Sequence, residues 1–437
     1  VRQNDVAFYV YPSLNTSRFE HVLGTCRVAG MMAESLTNSP KWRAYLRDLK
    51  GKTGISSKQE FVQLARLYAL LHDVGHLPLS HLFELAVEEY AVLKTPRISN
   101  QKLAEEWTGV AGFEKLHEAF GAVIVKQMIP SILLPRELCQ MLTRLMAEKT
   151  IPPDDPLCVV KSLVDSEIDA DRIDSTQRDG LLAGREYGNY DTRRLCDSVV
   201  IEKDKSGWLI AYSEKGLTSM EALLLDRYRT HVWIHFHHRV VAIKILTRFL
   251  LEKAFEREII TKEQFNPADQ DTFALRDDVW LWNVLRGMDS VGDPLTQMIQ
   301  RAVFYREKNN VLNLWKGRLA YRELEERIQE KARVNAVNFG FFDLYLQYLK
   351  EQLKVPIFKF ESPFVPISER AVLIYAEKEK RLSGKSLVGA SRLVADLNEI
   401  WKSEPQRFLL LVNSNIAARV EYFRRQWIEL TARWIRK

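Results

Sequence analysis

The stretch LLHDVGHLPLSH constrains this chain most, because an apolar run over residues 60–71, EFVQLARLYALL, delivers an adjacent pair, His72-Asp73. Apolar residues in the run recur at helical spacing, so it predicts a buried helix that ends or bends at Gly75 and Pro78. Successive helix side chains splay around the axis, so such a pair can present an imidazole nitrogen and a carboxylate oxygen to one ion. Further ligands must then come from distant stretches. His21, in SRFEHVLG, and Asp171, in EIDADRID, are the candidates. Two His with two Asp make a mixed nitrogen and oxygen site suited to a divalent metal ion: Mn, Fe, Zn, Mg, Co or Ni. Such a site usually keeps a position open for water.

All nine histidines lie between His21 and His238, which points to a single chemical centre in the first half. Taken singly, a His on an apolar helix is more often a hydrogen-bonded core residue than a ligand. Their joint arrangement argues otherwise. His76 follows His72 by four residues, on the same helix face. His81 and Glu84 stand three apart, and a His held by a carboxylate is set up as a general acid or base. His117-Glu118, in LHEAF, could order that pair, although surface ion pairing explains either acid alone.

In DADRIDSTQRD, Asp171, Arg172, Ser175, Arg178 and Asp179 share one side of a helix. Ion pairing on a wet helix is the structural account of that pattern. A cation beside a metal-binding carboxylate would equally hold a phosphate. Downstream, LLLDRYRTHVWIHFHHR packs Arg227, Arg229, His231, His235, His237, His238 and Arg239 together, a density that suits an anionic ligand. The chain has no GxxxxGK[ST] loop and no GxGxxG turn, so side chains rather than a backbone cradle would grip phosphate.

With 437 residues and 46% hydrophobic content, the chain is long enough for one large or two ordinary domains. Most long segments carry helical periodicity: besides 60–71, helices are expected over 114–128, 137–147, 159–182 and 219–256. VVIEK and GWLIAYS alternate around Asp204–Gly207 and predict one short hairpin. The fold class is therefore mainly α, with VPIFKF, RAVLIYA and FLLLVN as short strands in a mixed, mostly helical C-terminal part. Pro and Asp cluster near 266–278, which suggests a catalytic core over 1–255 and an oligomerisation or regulatory region over 256–437.

Residues 376–437 hold 13 Lys or Arg against 7 Asp or Glu, which accounts for the whole net charge of +6. Phe423, Trp427, Leu430 and Trp434 recur there at helical spacing, so an amphipathic terminal helix with a solvated basic face is the first reading and nucleic-acid binding a secondary one. Four cysteines without CxxC spacing argue for reduced thiols and a cytoplasmic protein. No apolar run is long enough to span a membrane. The chain starts with Val1 rather than Met, and an upstream stretch is expected to precede it.

The order RFEH, HDxGHxPxSHxxE, HE, IDxDRxDxxxRD, RYxxHxxxxxxH resembles the HD-domain deoxynucleoside triphosphate triphosphohydrolases, from about residue 2 to about residue 240. The family includes bacterial dGTPase-like enzymes and the vertebrate enzyme that joins a SAM domain to an HD domain. HDVGH also differs from the HDxGK of cyclic-dinucleotide phosphodiesterases and the HDxxED of guanosine tetraphosphate hydrolases in the same superfamily. The resemblance implies that His21, His72, Asp73 and Asp171 ligate the metal. It implies that His81 and Glu84 are the catalytic pair, supported by His117 and Glu118, with His76 near the α-phosphate.

It implies further that Arg18, Arg172 and Arg227 grip phosphates, that Gln3 and Asp179 contact the sugar, and that Ser175, His231 and His235 line the substrate. The implied reaction is hydrolysis at the α-phosphorus to a deoxynucleoside and inorganic triphosphate, in a homo-oligomer with a nucleotide activator and allosteric control. Ser175 and His235 stand where the family commonly has Tyr, and Phe236 replaces a polar residue of the vertebrate enzyme. The alternatives are an HD phosphohydrolase acting on another nucleotide or a nucleic-acid end, and a catalytically silent nucleotide- or nucleic-acid-binding protein.

Overall fold

The structure is a computed structural model and describes residues 1–184, 190–305, 307, 310–316, 341–362, 372–403, 406–414 and 416–436. The protein is mainly α. It forms two compact units that interleave along the chain: Val1–Ile234 with Thr261–Leu281 and Pro366–Glu399, and His235–Ile260 with Trp282–Val365 and Ile400–Lys437.

In the first unit, the helix Arg18–Leu36 packs against the helices Lys58–Leu71 and Ala170–Leu182. Ser17 and Ser57 open the first two of these helices, each accepting a backbone N–H three residues on while Glu20 or Glu60 reaches back. Those reciprocal bonds satisfy amides that a helix start otherwise leaves bare. Ala29, Met32, Ala33 and Leu36 of one helix and Phe61, Leu64, Ala65 and Tyr68 of the other are buried. The helix Leu116–Met128 approaches the turn after the His-Asp pair very closely. A Cβ on Gly75 would fall 2.2 Å from the Gly121 nitrogen and from the His117 carbonyl, so only glycine fits there.

The expected hairpin is present: Val199–Lys203 pairs antiparallel with Trp208–Ser213, and Asp204 accepts from Ser206 and Gly207 across the turn. It is part of a larger sheet. Leu373–Ala376 adds in parallel to its second strand, and Arg381–Ser386 pairs with that one antiparallel. In the second unit, Val311–Lys316, Gln406–Val412 and Ile357–Ser362 make an antiparallel sheet. The terminal helix Ile416–Arg436 buries Phe423, Trp427 and Leu430 in a core with Tyr345 and Leu349, and Trp434 packs against it. No helix among the described residues is long and apolar enough to cross a membrane.

Two long helices expected from periodicity are broken. Over 219–256 the chain forms Leu217–Thr230, a wide π-turn over His231–His235, and then His238–Glu256. His237 leaves helical geometry at φ −59°, ψ 127° and its ring accepts the Arg239 amide, which starts the second helix afresh. Over 159–182 the helix Leu157–Ser162 ends, and Ala170–Leu182 begins behind Asp169, whose side chain accepts the Arg172 amide at 2.8 Å. Hydrophobic spacing continues through both breaks, so only the polar capping chemistry marks them.

Candidate active site

His21 lies in the first turn of the helix Arg18–Leu36 and is fully buried. Its ring is held between two acids of the helix Ala170–Leu182. Nε2 is 2.8 Å from Asp171 Oδ1, and Nδ1 is 2.9 Å from Asp174 Oδ2. Asp174 is fixed in turn by Arg178, whose Nε and Nη2 donate to its two oxygens at 2.9 and 2.8 Å. Burial opposes a charge on His21, but the bonds to Asp171 and Asp174 outweigh it and raise the imidazole to about 10.

His72 caps the helix Lys58–Leu71. Its Nδ1 donates to the Ala69 carbonyl at 2.7 Å, which leaves Nε2 with the lone pair. That Nε2 is buried and has no hydrogen-bond partner. The ligand atoms of His21, His72 and Asp73 lie within 4.8 Å of one another, and Asp171 joins them through His21. A buried acceptor left bare beside two carboxylates costs free energy unless a cation completes it. The four side chains named from the sequence therefore suit a divalent ion in donor type, and His72 suits one in unmet bonding capacity as well. Burial works against charge on Asp73, yet Arg18, His72 and His76 around it hold its carboxyl well below the usual range. Arg18, expected to grip phosphate, is buried, pairs with Asp73 through Nη1, and donates from Nε to Ser80 Oγ at 3.0 Å.

A second cluster adjoins the first. Glu84, in the first turn of the helix His81–Lys94, accepts His117 Nδ1 at 2.9 Å on both oxygens. His76 Nδ1 is 3.2 Å and His81 Nδ1 3.7 Å from the same carboxylate. The His76 and His117 rings stack at 3.9 Å. His76 also places Nε2 3.2 Å from Asp73 Oδ1, so it bridges the two clusters. Burial, with Arg18 and His117 nearby, lowers His76 to about 3 and keeps it neutral. Glu84 stays ionised despite its burial because His117, His76 and His81 surround it. Glu118 pairs with Lys115 at 2.8 Å. His81 is the exposed member, with 62% of its side chain accessible.

A cavity of about 190 Å³ opens on both clusters, and Gln3, Arg18, His72, Asp73, His76, His81, His117, Glu118 and Asp171 line it. The remaining residues expected near substrate lie outside that lining. Arg172 pairs with Glu167 at 3.5 Å, and Arg227 stands 4.0 Å from the same Glu167 oxygen. The Ser175 hydroxyl turns back to the Arg172 carbonyl at 3.4 Å. Asp179 is buried and accepts from Asn4 at 2.6 Å; burial raises it to about 7. His231 begins the π-turn, and His235 opens the second unit.

Sequence reasoning missed Asp174 and the lysines on the cavity wall. For Asp174 a signal existed: it follows Asp171 by three residues, and the free nitrogen of a ligating His needs an acceptor. Lys115, Lys149 and Lys161 come from separate segments and carry no local signal. Lys161 Nζ donates to the Leu145 carbonyl at 3.1 Å and lies 3.4 Å from the Tyr68 hydroxyl.

Among proteins of known sequence, an uncharacterised protein of Methanocaldococcus jannaschii, MJ1154, is 26% identical over 270 residues, covering 62% of this chain and 46% of that one. Human deoxynucleoside triphosphate triphosphohydrolase SAMHD1 is 26% identical over 183 residues, covering 41% and 26%. The chain spans about half the length of the first curated relatives it matches. A crystal structure of a phosphohydrolase (BT4208) from Bacteroides thetaiotaomicron superposes with a TM-score of 0.59 at 19% identity, covering 94% of this chain and 91% of that one, and so shares the fold. The HD domain model matches residues 18–179, the stretch that runs from Arg18 through His21, His72-Asp73 and the Glu84 cluster to Asp171, and this part of the chain is an HD domain.

Proposed function

We propose that this chain is a divalent-metal-dependent phosphohydrolase that cleaves deoxynucleoside triphosphates to deoxynucleoside and inorganic triphosphate. The bare, buried Nε2 of His72, set among His21, Asp73 and Asp171, is the observation that carries this reading. Those four residues would hold the ion, which when bound supplies Lewis-acid polarisation and an acidified water. Around it, the chain's own groups divide the work. Glu84 fixes the His117 ring, and His81, exposed in the cavity, is placed to give a proton to the departing 5′-oxygen. Neutral His76 stands between Asp73 and Glu84, 3.2 Å from each, and links the proposed ligands to the Glu84 cluster. Arg18, Arg172 and Arg227 are assigned to phosphate, and Gln3, Ser175, Asp179 and His231 to the nucleoside. SAMHD1 is named for this reaction, and its likeness to part of this chain supports the substrate class.

At about 190 Å³ the cavity is smaller than the roughly 300–1,000 Å³ of ordinary small-molecule pockets, which suits a phosphate group or chain with the nucleoside outside. That size favours, as second reading, the same hydrolytic machinery on a smaller phosphoester. Of residues 256–437, those outside Thr261–Leu281 and Pro366–Glu399, which belong to the first unit, are assigned to assembly or regulation by a nucleotide. Product analysis of the purified protein with each dNTP and NTP, singly and mixed, with Mn²⁺ or Mg²⁺, decides between them. Inorganic triphosphate with a deoxynucleoside is the expected result; orthophosphate or pyrophosphate released from a dNTP refutes the dNTP assignment.

A further inference from the structure

Asp278 lies about two hundred residues from the His-Asp pair in sequence and does not line the cavity, yet it ends a continuous chain of hydrogen bonds that reaches Asp73. Its carboxylate is buried. Oδ1 accepts the Leu79 amide at 2.7 Å, and Oδ2 accepts the Arg2 amide at 2.7 Å with Arg2 Nη1 3.5 Å away. The Arg2 carbonyl accepts the Ser80 hydroxyl at 2.7 Å, and Ser80 Oγ accepts Arg18 Nε at 3.0 Å. Arg18 completes the series by pairing with Asp73.

Two residues in this series are strained. Leu79 and Ser80 have φ of 56° and 52°, in the left-handed region that side chains disfavour. Both are buried, and the next residue is His81. A strained turn persists only where its surroundings fix it, and here a carboxylate takes the Leu79 amide while the Ser80 hydroxyl is tied to Arg2. The same carboxylate anchors the Arg2 backbone. The segment it belongs to is zipped to the start of the first site helix, with Gln3 donating to the Thr16 carbonyl and Arg18 to the Val1 carbonyl, both at 2.9 Å. Gln3, Arg18 and His81 all line the cavity.

We propose that Asp278 is a positioning residue: by clamping the Leu79–Ser80 turn to the Arg2–Gln3 segment, it sets His81, Gln3 and Arg18 in register with the proposed ligands. Its kinetic consequence rests on the phosphohydrolase reading; its structural consequence does not. In Asp278→Asn, one acceptor becomes an NH₂ facing either the Leu79 or the Arg2 amide, so one bond turns repulsive while the shape is kept.

The test uses the full chain loaded with Mn²⁺, comparing wild type, Asp278→Asn and Ser80→Ala, the latter removing the hydroxyl between Arg2 and Arg18. Amide hydrogen exchange, Mn²⁺ affinity by calorimetry, and kcat and KM on a cleaved dNTP are measured. In Asp278→Asn the amides of Arg2 and Leu79 should lose protection while the helix Lys58–Leu71 keeps it and Mn²⁺ still binds. Displacement of catalytic groups by about an ångström should lower kcat by about tenfold to a hundredfold with little change in KM. Unchanged protection at Arg2 and Leu79, or protection lost equally along the Lys58–Leu71 helix, overturns the proposal. If Asp278→Asn does not fold, Ser80→Ala decides: faster exchange near Arg2 and Arg18 with lowered kcat supports the clamp, and wild-type values overturn it. A wild-type protein that cleaves no nucleotide defeats the proposed function instead, and the exchange data still judge the clamp.

Discussion

Asp174→Asn separates orientation of His21 from its protonation, and the structure gives both effects a sign. Asp174 Oδ2 accepts from His21 Nδ1 and from Arg178 Nε, while Oδ1 accepts from Arg178 Nη2. An amide has one acceptor. If its oxygen serves His21, the ring keeps only a neutral acceptor and the NH₂ faces Arg178 Nη2, donor against donor; in the other flip the NH₂ faces the ring and no acceptor is left for it. Loss of the acceptor behind a ligating His weakens metal binding by about ten- to a hundredfold, or about 1.4 to 2.7 kcal/mol. An opposing effect comes from charge. His21 must give up a proton to ligate, and the carboxylates that raise it to about 10 make this costly near neutrality. Removing one carboxylate eases that cost. The loss of affinity should therefore be small at about pH 7 and approach its full size as the pH nears the folded value of His21. Anaerobic Mn²⁺ calorimetry at several pH values measures both. Wild-type affinity for the variant at high pH, or parallel pH dependences for the two proteins, would refute the account.

Gly75→Ala should be destabilising by about 1–3 kcal/mol, because the new methyl meets the Gly121 and His117 backbone rather than a movable side chain; denaturant melts check this, and wild-type stability contradicts the close approach. Glu84→Gln should lower kcat by about a hundredfold to ten-thousandfold with Mn²⁺ stoichiometry intact, since Glu84 orders His117 rather than the metal; lost stoichiometry in metal analysis would make it a ligand. For the metal-free protein, the raised His21 contributes stability that is full below about pH 6.5 and lost as pH rises toward about 10, whereas the Mn²⁺-loaded protein should not show that loss. Urea midpoints across that window, with chelator or with Mn²⁺, test it; a flat metal-free profile counts against the assignment. Trp427→Ala should cost about 3–5 kcal/mol in the second unit, as it empties a fully buried site and removes the donor to Tyr345 Oη at 2.9 Å; a loss under about 1 kcal/mol would show that the core collapses to fill it.

The helix that carries the His-Asp pair was legible because its apolar spacing and its chemistry coincide: Lys58–Leu71 ends at His72. The breaks in 159–182 and 219–256 were not legible from spacing alone, because hydrophobic residues continue through them and capping by Asp169 or His237 decides the geometry. The sheets were seen in fragments. VVIEK and GWLIAYS announce a hairpin through their turn, but the parallel pairing with Leu373–Ala376 joins segments about 160 residues apart, which no local pattern encodes. Within the site, residue types and spacing pointed to His21, His72, Asp73 and Asp171. They did not show that Glu84 bonds His117 more closely than His81, since that depends on the Gly75–Gly121 approach.

The same contacts also divide charge between two otherwise similar imidazoles. His21 and His76 are both buried and both lie near Asp73. His21 has Asp171 and Asp174 on its two nitrogens and is held protonated until an ion takes the place of the proton. His76 faces Arg18 and stacks on His117, and those neighbours, with burial, keep it neutral although Asp73 and Glu84 are close. Asp73 is thus shared by an imidazole that exchanges a proton for a metal and one that holds a fixed hydrogen-bonding state. An anion entering the cavity would meet the second imidazole already neutral, so its binding need not await a proton. If this division is correct, metal uptake by the protein releases a proton near neutral pH, whereas binding of inorganic phosphate to the loaded protein does not take one up at His76. Calorimetry in buffers of different ionisation enthalpy measures both, and proton uptake at His76 on phosphate binding would remove the distinction.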